Sequence, residues 1–65
     1  MLSGVSAHDT ILEVGPGKGI LTQALCESAR KVVAVEKDER FVEYLQDQFS
    51  ETKNLTVLHE DVLKF

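Results

Sequence analysis

The sequence is poor in the residues that build several kinds of site. It has one cysteine, one proline and no tryptophan among 65 residues. A single cysteine excludes an intrachain disulfide and is compatible with a reducing compartment. Lys and Arg number seven against eleven Asp and Glu, and the longest basic run is Arg30-Lys31. Because nucleic-acid binding relies on clustered cations, the net charge of −4 argues against tight RNA binding by this chain alone.

Long apolar runs are absent as well. No stretch approaches the roughly 20 apolar residues that a membrane-spanning helix needs. Residues 1–5 also lack the basic and apolar regions of a signal peptide. We therefore expect no membrane partner and a cytoplasmic protein. With 43% hydrophobic and 28% charged residues, the composition is that of one small globular domain.

The hydrophobic pattern predicts three strands that alternate with two helices. The predicted strands are 10–14, 31–35 and 55–59. One helix is predicted from Lys18 to Ser28, and a second follows an N-cap at Asp38. The β-branched run at 31–35 is typical of a strand that is covered on both faces of a parallel sheet. Right-handed crossovers give the strand order 3-2-1, so the predicted fold class is α/β, half of a doubly wound Rossmann-like sheet.

A glycine-rich turn, Gly15-Pro16-Gly17-Lys18-Gly19, follows the first predicted strand. Glycines tolerate positive φ and let a ligand approach the backbone closely. The amides and the dipole of the following helix favour a polar or anionic group. We interpret this segment as a nucleotide-cofactor turn. Ligands of such sheets sit at the carboxyl ends of the strands, where Glu36 and Asp61 also lie.

The three acids near these strand ends suit different parts of an adenosine ligand. Glu36 can accept hydrogen bonds from both ribose hydroxyls, and Asp61 can accept one from the adenine amino group. Glu13, just before the turn, can meet a cationic or amino end. Simpler interpretations stand beside these: Glu36 and Asp61 as solvated acids, Asp61 as a turn cap, and Glu13 as a buried acid. Lys18 is most simply solvated, with a phosphate or RNA contact as the alternative.

Three cofactor classes compete for the turn. A P-loop needs Ser or Thr after its lysine, whereas Gly19 follows Lys18 here. The dinucleotide pattern G-x-G-x-x-G/A, counted from Gly15, would need a small residue where the chain has Ile20. The acid two residues before the first glycine fits S-adenosylmethionine, which brings a charged amino-acid end. A non-catalytic nucleotide-binding module and a piece of an NAD-dependent oxidoreductase remain as alternatives.

The run from Asp9 to Thr22, with Gly-Pro-Gly-Lys-Gly followed by Ile-Leu-Thr, resembles the ribosomal small-subunit RNA adenine dimethyltransferase family. That family includes the erythromycin-resistance methylases. Residues 33–38 resemble its second motif, and residues 60–65 resemble its third. The resemblance implies S-adenosylmethionine as cofactor and a parent enzyme that methylates N6 of adenines in small-subunit ribosomal RNA.

The resemblance also implies which residues hold the cofactor. They are Glu13, Gly15, Gly17, Glu36, Lys37, Asp61 and Val62. Gly15 would lie behind the cofactor, and Glu13 and Gly17 would line its methionine end. Lys37 and Val62 would flank the adenine. Glu36 would bind the ribose hydroxyls, and Asp61 would contact the adenine amino group.

The family's catalytic motif, Asn-[Leu/Ile]-Pro-[Tyr/Phe], is absent from this sequence. The only proline is Pro16 and the only asparagine is Asn54, so no residue can orient the target amine of an extruded base. We therefore expect residues 1–65 to be a single partial domain, the cofactor-binding half of a class I methyltransferase, inactive alone and without tight RNA binding. An open edge at the first strand predicts self-association.

Overall fold

The computed structural model of the protein describes residues 4–64; residues 1–3, which belong to the segment searched for a signal peptide, and Phe65 lie outside that range. The elements in chain order are β1 (Thr10–Val14), α1 (Ile20–Ser28), β2 (Lys31–Glu36), α2 (Glu39–Gln48), β3 (Leu55–His59) and a 3₁₀ turn (Val62–Lys64). All strands are parallel, and β2 lies between β1 and β3. The predicted fold class and strand order are confirmed. No helix within 4–64 has the length and hydropathy to cross a bilayer.

Differences from the predicted elements are confined to their ends. Helix α1 begins at Ile20 instead of Lys18 because Gly19 has a left-handed φ of 83°, which no helical residue adopts. The second strand includes Glu36, one residue more than predicted. Asp38 is the N-cap of α2, as predicted, and its side chain accepts a hydrogen bond from the Arg40 amide. The 3₁₀ turn after β3 was not predicted.

Both helices cover the same face of the sheet. On that face the parallel register aligns Ile11, Val32 and Leu55. These residues pack with Leu25 and Ala29 at the end of α1 to form the core. Because the connections β1-α1-β2 and β2-α2-β3 run in the same direction across the sheet, right-handed crossovers place both helices on one side.

The opposite face of the sheet is largely uncovered in the described residues. Leu12, Val14 and Leu58 are 64%, 56% and 42% exposed there. In the central strand, Val35 is buried but its neighbour on this face, Val33, is only partly buried. The interpretation of 31–35 as a strand covered on both faces is therefore wrong for one face, because a β-branched run reports strand propensity as well as burial.

Replacing Gly19 by alanine should destabilise the fold through packing. An added Cβ would lie 2.6 Å from the Phe49 ring and 2.8 Å from a methyl of Leu45, at the end of α2. Gly4→Ala is the matched control, because Gly4 has nearly the same φ, 82°, and no atom within 4 Å of the Cβ position. We expect Gly19→Ala to lower the free energy of unfolding by about 1–3 kcal/mol more than Gly4→Ala does, in urea titrations. Equal losses would show that backbone strain alone matters.

The titration of Asp38, the N-cap of α2, should depend on Arg40. Hydrogen bonds from the Arg40 side chain and amide, together with its charge, lower the pKa of Asp38 below its usual range. A lowered pKa stabilises the fold above the usual aspartate pKa, and this contribution is lost as pH falls through the lowered value. We expect Arg40→Gln to move the Asp38 titration, followed by carboxyl NMR, to higher pH. Arg30→Gln makes the same charge change away from this cap and should leave the midpoint of the Asp38 titration unchanged. Equal shifts of that midpoint in both variants would show an effect of net charge.

Candidate functional site

A cavity of about 210 Å³ lies at the carboxyl ends of the three strands. Five of the seven predicted cofactor-binding residues line it: Gly15, Glu36, Lys37, Asp61 and Val62. The remaining lining residues, Val14, Val35, Glu60 and Leu63, were not predicted. They adjoin the predicted ones in sequence, and their strand-end position was the available signal. The parallel topology therefore brings the glycine turn and both strand-end acids to one site.

Glu36 is held by backbone amides on both of its carboxylate oxygens. Oε1 accepts a hydrogen bond from the Gly17 amide at 3.1 Å, and Oε2 accepts one from the Asp38 amide at 2.9 Å. The residue is only 5% exposed, so the interpretation of Glu36 as a solvated acid is wrong. Each carboxylate oxygen offers two acceptor positions. One position on each oxygen remains, which fits a pair of neighbouring ribose hydroxyls.

The glycine turn is fixed to the sheet and left open on its outer side. The Gly15 amide donates to the Val35 carbonyl at 2.9 Å, and the Gly19 amide donates to the Pro16 carbonyl at 3.0 Å. Gly15 and Gly17 have φ values of 68° and 58°, and a Cβ on either would meet no atom within 4 Å. Positive φ, rather than crowding, requires glycine at these two positions. The space beside them fits a ligand that approaches the backbone closely.

Glu13 and Gly17 are the two predicted residues that do not line the cavity. Gly17 is joined to it through its hydrogen bond to Glu36. Glu13 is 8% exposed and accepts a hydrogen bond from the hydroxyl of Thr22, which is fully buried in α1. Glu13 is thus buried, as its simpler interpretation expects, and its place at the methionine end of a cofactor stays a prediction. The contact of Thr22 with Glu13 was not predicted from the sequence.

Asp61 and His59 make hydrogen bonds at and just beyond the end of β3. Oδ1 of Asp61 accepts a hydrogen bond from the Leu63 amide at 3.0 Å, so its interpretation as a turn cap is confirmed. Nε2 of His59 lies 3.1 Å from the Lys37 carbonyl and ties the end of β3 to the segment after β2. The role of His59 was missed, and a polar residue at a strand end carries no sequence signal for such a contact.

The charges around the cavity favour hydrogen-bond donors over phosphate. Among the side chains that the structure describes, Glu36, Glu60 and Asp61 line it, against Lys37 as the single lining cation. Carboxylates accept hydrogen bonds from hydroxyl and amino groups, whereas they repel a pyrophosphate. Within residues 4–64 no group of three or more His, Cys, Asp or Glu side chains could hold a metal ion. This set of hydrogen-bond acceptors therefore fits the adenosine part of a ligand without phosphates.

Comparison with known proteins agrees with this geometry. The family model for ribosomal RNA adenine dimethylase matches residues 3–65. Ribosomal RNA small subunit methyltransferase A of Lachnoclostridium phytofermentans is 49% identical over 61 residues, which are 92% of this chain and 21% of that protein. The chain thus spans about a fifth of the length of the curated relatives it matches.

Solved structures show the same arrangement of strands and helices. The 23S rRNA methyltransferase ErmE superposes with a TM-score of 0.87 at 33% identity, over 97% of this chain and 26% of that protein. Phosphoethanolamine N-methyltransferase 1 of Haemonchus contortus, in complex with S-adenosylhomocysteine, gives a TM-score of 0.87 at 25% identity, over 98% and 14% of the two chains. The Rossmann-like methyltransferase fold and its cofactor class, S-adenosylmethionine, are those predicted. Because the family model matches nearly the whole of this chain, the chain belongs to the ribosomal RNA adenine dimethylase family.

Proposed function

We propose that this chain is the S-adenosylmethionine-binding part of a methyltransferase that modifies adenine in small-subunit ribosomal RNA. The observation that carries the proposal is the cavity, where the open glycine turn, Glu36 and Asp61 meet at the ends of three parallel strands. Family membership and the predominance of carboxylates around the cavity support S-adenosylmethionine over a phosphate-bearing dinucleotide.

Each part of the cofactor has a matching group in this site. The two remaining acceptor positions of Glu36 take the ribose hydroxyls, and Asp61 accepts from the adenine amino group. Lys37 and Val62 line the cavity beside Asp61 and flank the adenine plane. The open backbone at Gly15 lies behind the cofactor. The remaining two predicted residues, Glu13 and Gly17, serve the methionine end.

The whole enzyme would use the cofactor as the source of an electrophilic methyl group. The residues of this chain bind and orient that cofactor, and its sequence lacks the Asn-[Leu/Ile]-Pro-[Tyr/Phe] motif that would hold the adenine accepting the methyl group. On this proposal the chain alone neither transfers a methyl group nor grips RNA tightly, consistent with its net charge of −4. Because the substrate is ribosomal RNA, a cytoplasmic location belongs to the same proposal.

Asp61→Asn should weaken binding of S-adenosylhomocysteine. Asparagine keeps the side-chain oxygen that accepts from the Leu63 amide, so the 3₁₀ turn is retained. It places an NH₂ donor where the adenine amino group needs an acceptor. We expect calorimetric titration of the chain to show a Kd that is higher by about tenfold or more, the value of a charged hydrogen bond. Asp61 tests the site more cleanly than Glu36, whose removal would also release two backbone amides.

The titration needs a charge control and a ligand control. Glu43→Gln removes one negative charge from an exposed position on α2, outside the cavity, and should leave the affinity unchanged. Nicotinamide adenine dinucleotide should not bind. If the unmodified chain bound the dinucleotide and not S-adenosylhomocysteine, the oxidoreductase alternative would replace this proposal. Binding of neither would refute the assignment of the cofactor site to this chain.

We also propose that the chain self-associates through β1. This strand lies at one edge of the sheet, where alternate backbone N–H and C=O groups of an edge strand lack a partner strand. Leu12 and Val14 add an exposed apolar surface to that edge. Leu12→Lys should shift sedimentation from dimer or larger species to monomer, because lysine on an edge strand opposes pairing. Leu63→Lys, at an 87% exposed leucine outside the sheet, is the control; a monomeric unmodified chain would contradict the proposal.

A further inference from the structure

A buried hydroxyl and a buried carboxylate pair directly beneath the glycine turn. Thr22 lies in the first turn of α1 and is fully buried, and its Oγ1 donates to Oε1 of Glu13 at the end of β1. We propose that Thr22 is a positioning residue that holds Glu13 to receive the amino group of the cofactor's methionine end. This inference rests on the proposed function.

The second oxygen of Glu13 is the one left for a ligand. Within residues 4–64, no donor to Oε2 is recorded, yet no buried side-chain oxygen lacks a hydrogen-bond partner. Oε2 must therefore reach the surface, although the residue as a whole is only 8% exposed. Thr22 fixes one oxygen and leaves the other accessible, two residues before Gly15 in the cavity wall.

The charge at this position suits an ammonium group. A hydrogen bond between ammonium and carboxylate is about twice as strong as a neutral one. On α1, burial and then the carboxylates of Glu13 and Glu27 raise the pKa of the Cys26 thiol. Cys26 thus stays neutral, and Glu13 is the anion that an amino group would meet on this side of the turn.

Packing alone would not require a hydroxyl at position 22. Valine has the same branched shape and would fill the same buried volume on α1. The hydroxyl of Thr22 has one recorded donor bond, and it goes to Glu13. A buried hydroxyl without a partner is costly, so the threonine and the acid act as a pair.

The test compares two ligands that differ in the methionine end. S-adenosylhomocysteine carries the amino-acid end, whereas 5′-methylthioadenosine has the same adenosine part without it. By calorimetry we expect Thr22→Val to raise the Kd of S-adenosylhomocysteine by about tenfold. It should change the Kd of 5′-methylthioadenosine by less than about twofold. Thr22→Ser, which restores the hydroxyl, should bind both ligands like the unmodified chain.

A double variant shows whether Thr22 acts through Glu13. Glu13→Gln keeps an oxygen for Thr22 but loses the charge, so it should show the same selective loss. Adding Thr22→Val to Glu13→Gln should then weaken the binding of S-adenosylhomocysteine no further. This double variant has no unpaired buried charge, and it supplies the measurement if Thr22→Val alone does not fold.

The outcomes separate the two proposals. Equal weakening of both ligands by Thr22→Val, or no recovery with Thr22→Ser, would overturn the positioning role while leaving the cofactor site in place. An additive loss in the double variant would overturn it as well. If the unmodified chain bound neither ligand, the proposed function itself would be refuted, and the role of Thr22 with it.

Discussion

The carboxylate of Glu36 is the constraint on which the site depends. It joins the glycine turn to the start of α2, since its oxygens accept from the amides of Gly17, 19 residues away in the chain, and of Asp38. A charge that is 95% buried is tolerated only when hydrogen bonds replace its lost hydration. The glycine turn and the start of α2 therefore adopt their positions around one acid. The group proposed to hold the ribose is also the group that shapes the pocket for it.

Hydrogen bonds of the sheet continue past the strand ends into the cavity. The Gly15 amide bonds to the Val35 carbonyl, and the Glu60 amide bonds to the Glu36 carbonyl at 3.0 Å. The contact of His59 with the Lys37 carbonyl adds a side-chain link on the same edge. The wall of the cavity is thus built from the last hydrogen bonds of the sheet, which lets a chain of this size present a formed site.

Much of this architecture follows from the sequence, because the signals are local. The strands follow from β-branched runs, and the cap of α2 follows from Asp38 placed before a helical stripe. Topology then predicts that Glu36 and Asp61 share an edge with the turn. The pairing of Thr22 with Glu13 and the contact of His59 could not be predicted, because each depends on side-chain directions set by packing. The uncovered face of the sheet could not be predicted, because a buried and an exposed strand face can consist of the same residue types.

The packing at Gly19 limits which substitutions this fold can accept during evolution. Its Cβ position is filled by the Phe49 ring and Leu45, whereas those of Gly15 and Gly17 have no atom within 4 Å. A descendant that gave up its cofactor would still favour glycine at the first two positions, because their φ values are positive. It would still need the third, because α1 rests against α2 at that point. The last glycine of the turn is thus constrained both by its φ and by packing between the helices, whereas the first two are constrained by φ.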